Sequence, residues 1–115
     1  MNIDYIPNFF NLAGHQITVK EDRCMSYERD LEGLASYIDN TIYLANNDQK
    51  YREYPESNKK VTFLHELVHF ILNIMGRDAL NSDEAFVNLF AELLYQAMST
   101  AVCLRRDNVT EKDVF

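Results

Sequence analysis

Val61-Thr62-Phe63-Leu64-His65-Glu66-Leu67-Val68-His69-Phe70-Ile71-Leu72-Asn73-Ile74-Met75 is an almost wholly apolar run that carries two histidines and one glutamate. Its length and composition predict a helix. In a helix, residues four apart lie one above the other on the same face, so His65 and His69 project together. Ser57 or Asn58 is expected to cap the start of this helix. Gly76 suits the position just past its end, where a left-handed residue is common. At this length the run is too short to span a bilayer, and its two histidines and glutamate argue further against it.

His65-Glu66-Leu67-Val68-His69 is an HExxH motif. Two imidazoles one turn apart can hold one zinc ion, and Glu66 then stands next to the water that the metal binds. A third protein ligand is needed. A metzincin-type extension requires Gly at 72 and His at 75, and the chain has Leu72 and Met75. The only other histidine, His15, sits beside a glycine and reads as a turn residue. A carboxylate is therefore expected, with Glu84 the first candidate and Asp83 its nearest rival. Glu84, Asn88 and Glu92 recur every four residues and form a polar stripe on an otherwise apolar helix. Asn88 could orient a ligating histidine by a hydrogen bond. Glu92, about 12 Å along the axis from Glu84, is less able to share the ion. Tyr37, Tyr43 and Tyr95 are possible oxyanion donors, and no spacing rule selects among them.

The remaining segments build a scaffold around this pair of helices. Phe9–Leu12 and His15–Lys20 flank Ala13-Gly14, and Leu34–Ile38 and Thr41–Leu44 flank Asp39-Asn40, which predicts two hairpins. Asn46–Lys60 is polar, holds Pro55, and reads as a connector. Ser82 is expected to cap a second helix running to about Leu104, with Phe86, Leu89, Phe90, Leu93, Ala97, Ala101 and Leu104 as its buried face. The expected fold is α+β: a small antiparallel or mixed sheet of about three or four strands packed on the HExxH helix and a second, glutamate-bearing helix. Residues 1–104 are expected to form one domain, and 105–115 a charged C-terminal tail.

With 115 residues the chain is long enough for one core. A net charge of −7 argues against nucleic acid as a partner, because phosphate binding needs clustered Lys and Arg. Cys24 and Cys103 lack CxxC spacing and read as reduced thiols. Met1-Asn2-Ile3-Asp4 has no basic stretch followed by an apolar one, so no secretory signal is expected and the cytoplasm is the expected compartment. Neither a membrane nor a nucleic-acid partner is expected, and the oligomeric state is left open.

Phe63–Leu72, followed by Glu84, Asn88, Phe90, Ala91, Leu93 and Leu94, resembles the gluzincin-type zinc metallopeptidases of the ImmA/IrrE kind, including the small minigluzincins and phage-encoded relatives. Gly14-x-x-Ile17-x-Val19 and Gly33-Leu34-Ala35-x-Tyr37-x-x-x-Thr41-Ile42-Tyr43-Leu44 fit the strands that precede the active-site helix there. The match runs over roughly residues 8 to 98. The resemblance implies that His65, His69 and Glu84 hold Zn2+, that Glu66 is the catalytic base, and that Asn88 takes the place of the residue that supports a ligand from behind. Val68 replaces the glycine that many members have, and Tyr95-Gln96 replaces their usual proline.

The expected activity is hydrolysis of a peptide bond by a zinc-activated water, with Glu66 taking up and returning the proton. The substrate is a protein or peptide, a regulatory protein among the possibilities the resemblance suggests. Its strand is expected to pair with an exposed sheet edge at Thr41–Leu44. The alternatives are a catalytically silent zinc-containing protein-binding or regulatory module, and a latent enzyme shielded by the tail.

Overall fold

The computed structural model describes residues 6–22, 31–47, 52–102 and 104. Cys24, Cys103 and the 105–115 tail lie outside the described residues.

Strands β1 (Phe9–Leu12) and β2 (His15–Asp22) form the first expected hairpin, with Leu12 paired to His15. The intervening Ala13 and Gly14 both have positive φ, 51° and 80°. Two such residues are what the tight turn matching strand twist requires. Strands β3 (Gly33–Ser36) and β4 (Thr41–Ala45) form the second. β3 stops two residues earlier than the sequence suggests, because Asp39 braces a four-residue loop. Its carboxylate accepts from the Tyr43 hydroxyl at 2.8 Å, and its carbonyl accepts from Thr41 Oγ1 at 3.0 Å. Hydrogen bonds from Ser36 and Tyr43 hold the Asp39 carboxyl below its ordinary range. Tyr37 and Ile38 are thereby released into the loop.

β4 pairs in parallel with β2, from Thr18 against Thr41 to Asp22 against Ala45, giving a mixed sheet of order β1-β2-β4-β3. β4 is therefore central, and four of its five residues are buried. The expected docking edge at Thr41–Leu44 is ruled out, since both sides of that strand are already paired. The edge beside the helices is β3.

Helix α1 (Glu56–Ile74) begins immediately after Pro55, which has no side-chain cap. Ser57 and Asn58 lie inside its first turn and do not cap it. The start is set upstream: Tyr54 N–H donates to the Asn46 carbonyl, and the Pro55 carbonyl accepts from Lys59 N–H. The buried Lys59 ammonium lies 3.7 Å from both Glu21 and Glu56, tying the first turn to β2. At the other end Gly76, at φ 69°, donates to the Asn73 carbonyl while Arg77 donates to that of Leu72. That pair of bonds closes the helix as the sequence predicts.

A one-turn helix α2 (Asp78–Asn81), too short for any periodic signal in the sequence, precedes α3 (Glu84–Thr100). Ser82 ends α2, its N–H bonded to the Asp78 carbonyl. Asp83 is the cap of α3, accepting from Phe86 N–H at 3.1 Å. α3 stops at Thr100, short of Leu104, because Ala101 is extended.

The buried face of α3 also differs from expectation, save at Phe86, which packs against Val68, Leu72 and Val87. Val87 and Ala91 are fully buried, with Leu94, Tyr95 and Met98 packed beside them, while Leu89, Phe90 and Leu93 are about half exposed (57%, 48% and 55%). At roughly 100° per residue, apolar side chains cover most of this helix, so local periodicity offers two faces. Turning Glu84 and Asn88 toward His65 chooses between them. The flank adjoining that stripe is buried and the opposite flank faces solvent. The main core joins Ile17, Ile42 and Leu44 of the sheet to Phe63, Leu64 and Phe70 of α1 and Ala91 of α3. No helix among the described residues is long and apolar enough to cross a membrane.

Candidate metal centre

α1 and α3 run antiparallel, as their contacts show: Val87 packs with Val68 and Leu72, while Ala91 lies in the cluster of Phe63 and Leu64. Glu84, the first residue of α3, is thus brought to the histidine pair. His65 Nε2 and His69 Nε2 are 3.2 Å apart. Glu84 Oε2 lies 3.3 Å from the first and Oε1 3.2 Å from the second. One ligand atom from each of His65, His69 and Glu84 falls within 4.8 Å of the others, so the group could hold a metal ion. An ion bonded at about 2.0–2.2 Å in a tetrahedral site spaces its ligand atoms about 3.3–3.6 Å apart, close to the separations found. Two imidazoles and a carboxylate also suit a divalent cation of borderline softness.

Glu84, the carboxylate expected as third ligand, is the one that the fold brings to the histidine pair, and its rival Asp83 is occupied as the helix cap. Asn88, one turn on, hydrogen-bonds His65. Glu92 lies farther along the same stripe, lining the cavity without joining the ligand group. His15 starts β2, exposed, and takes no part.

Glu66 is 94% buried by the close approach of β3, at 6% exposure. A Cβ on Gly33 would stand 2.9 Å from Glu66 Oε2 and 2.6 Å from Thr62 Cγ2. The lack of a side chain at Gly33 is what admits the carboxyl. Ala45 N–H donates to the Glu32 carbonyl, and antiparallel alternation then turns the main-chain groups of Gly33 and Ala35 away from β4. The Ala35 main chain hydrogen-bonds the Glu66 carboxyl. Burial, with a smaller push from Glu84, raises that carboxyl to about 7 against the opposing pull of His69 and the Ala35 bond. Burial is also the main cause that lowers the pKa of His65, assisted by His69 and opposed by Glu84 and Asn88. A carboxyl poised near neutrality can both take up and return a proton.

Two residues of the site were not singled out by sequence. Asn81 Oδ1 lies 2.6 Å from His69 Nδ1, and Asn81 Nδ2 donates to the Tyr37 hydroxyl at 3.1 Å. The Tyr37 hydroxyl in turn donates to the His69 carbonyl at 3.3 Å, and its ring stands edge-on to Phe70. Tyr37 is one of the three tyrosines that the sequence offers as oxyanion donors. Tyr43 is spent on Asp39 and Tyr95 on the core, so Tyr37 is the one of the three at the cleft. Asn81 comes from α2, which has no periodic signal to reveal it.

The site opens into a cavity of about 570 Å³ between β3, α1 and α3. Tyr37 is at the His69 end of this cleft. Glu32, preceding β3, and Glu92, two turns beyond Glu84, also line it. No family model, curated protein or solved structure matches this chain.

Proposed function

We propose that the protein is a zinc metallopeptidase, a minimal gluzincin of the kind its motifs resemble, acting on a protein or peptide in the cytoplasm. The observation that carries this reading is Glu66: a carboxyl buried beside a three-residue group that could hold a metal ion and that faces an open cleft. A purely structural staple needs neither a base nor an open cleft.

His65, His69 and Glu84 would hold the zinc, two neutral nitrogens and one anionic oxygen. Bound there, zinc would supply an acidified water and a Lewis acid for the scissile carbonyl. Glu66 accepts the water's proton and later returns it to the leaving amine. Its bond to Ala35 fixes the carboxyl while it does so. The free edge of β3 offers the Gly33 main chain and the Ala35 carbonyl to an extended substrate strand. Among the described residues lining the cleft, which include Glu32 and Glu92, there is no Lys or Arg, so a substrate with Lys or Arg near the scissile bond is favoured.

Metal analysis and a substrate screen test the reading together. The parent is expected to hold about one zinc per chain and to cleave; His65→Ala is expected to lose both properties. Glu66→Gln should keep the metal and lose cleavage. Cleavage by Glu66→Gln at the parental rate would remove Glu66 as the base.

The second reading, a zinc-containing binding module without cleavage, draws on the solvent-facing Leu89, Phe90 and Leu93. A parent that holds zinc yet leaves basic and neutral peptides intact, as Glu66→Gln does, would favour it.

A further inference from the structure

We infer that Asn81 and Tyr37 form a positioning pair that sets the tautomer of His69 and, through it, the affinity of the metal site. The inference rests on the metal site of the proposed function and not on hydrolysis.

A tyrosine hydroxyl has one proton, and that of Tyr37 goes to the His69 carbonyl, an obligate acceptor. Its oxygen lone pairs are left to receive Asn81 Nδ2–H. The Asn81 amide is thereby oriented with Oδ1 toward His69. An amide oxygen only accepts, so the proton of the neutral imidazole must sit on Nδ1. His69 Nε2 then presents a bare lone pair to His65 and Glu84, the form that a metal ion requires. The three bonds start at the His69 main chain and close on its own ring.

This arrangement runs against the preference of a free imidazole, which favours the proton on Nε2. That tautomer would place a hydrogen where the metal belongs. His65 is served from a different element, by Asn88 on α3, so the two histidines are oriented independently. Tyr37 joins the loop between β3 and β4 to this relay, and Asn81 joins the linker between the two ligand-bearing helices. Neither residue touches the ion's position directly; both act through His69.

The test is zinc affinity, measured by competition with a chromophoric chelator on the full chain, together with nitrogen NMR of the metal-free imidazoles. Asn81→Ala is expected to weaken zinc binding about 10–100-fold. Asn81→Asp should stay within a few-fold of the parent, because its carboxylate accepts the same proton. Tyr37→Phe should weaken binding less, by roughly three- to tenfold, since the amide is then free to flip. In the parent spectrum His69 should carry its proton on Nδ1, and in Asn81→Ala that population should shift toward Nε2. Parental zinc affinity in a folded Asn81→Ala would overturn the inference. Should Asn81→Ala fail to fold, the parent spectrum decides, and a proton on Nε2 of His69 would overturn it equally. Loss of cleavage with unchanged zinc affinity would count against this pair while leaving the peptidase reading intact.

Discussion

Gly33 on the edge strand stands directly against Glu66 on α1, so close that a Cβ would lie 2.9 Å from the carboxylate oxygen. Glu66 is an interior carboxyl made possible by an absent side chain. Gly33→Ala is expected to push Glu66 and Thr62 aside and to strain the Ala35 bond. Overpacking of this kind costs about 1–3 kcal/mol. Denaturant titration should show the loss, and peptide hydrolysis should fall more than stability does. A variant as stable and active as the parent would show that the carboxyl has room to move.

The raised Glu66 pKa makes a pH prediction for the metal-free chain. The folded value, about 7, exceeds the ordinary 4.5, so folding favours the protonated carboxyl. Its stabilising contribution is complete below the ordinary value and is lost as pH rises through the folded one. The two values differ enough to make that loss about 3 kcal/mol. Because His65 has the opposite dependence, its lowered pKa costing stability as pH falls, the comparison to make is parent against Glu66→Gln. The glutamine variant should gain on the parent between about pH 5 and pH 8. A difference that does not change with pH would contradict the assignment.

Asp83 and Glu84 are adjacent acids with separate tasks. Asp83→Ala should cost about 1 kcal/mol through loss of the α3 cap and leave zinc affinity within a few-fold of the parent. Glu84→Ala should abolish tight zinc binding and with it the metal-dependent rise in melting temperature. Isothermal titration with zinc separates the two, and reversed outcomes would exchange their roles.

Glu32, just before β3, and Glu92, on α3, both line the cleft. Replacing both with Gln should lower kcat/KM on peptides with Lys or Arg near the cleaved bond by about tenfold, with little change for neutral peptides. The effect should shrink at high salt. Equal loss on both peptide types would mean that these carboxylates support the fold and not selectivity.

The two faces of α3 should respond differently to truncation. Val87→Ala, in a fully buried position, is expected to cost about 1–3 kcal/mol. Leu93→Ala, on the solvent-facing flank, should cost about 0.5 kcal/mol or less. Thermal melts of the two variants check the packing direction.

What the sequence determined by itself was set by near neighbours. Periodicity and chain punctuation marked the HExxH helix, its closure at Gly76 and both hairpins. The four-residue recurrence of Glu84, Asn88 and Glu92 identified the stripe that meets the histidines. Each of these depends on residues a turn or a strand pair apart, where backbone geometry leaves few choices. The tertiary structure decided the rest. It inserted β4 between β2 and β3, which moved the free edge to Gly33–Ser36. It selected the Val87–Ala91 face of α3 over an equally apolar rival. It placed Asn81 and Tyr37, 44 residues apart in the chain, in one relay behind His69. These outcomes turn on which surfaces meet once the chain closes on itself. A segment that is apolar on two faces, or a polar residue in a linker, has no local feature to announce its partner.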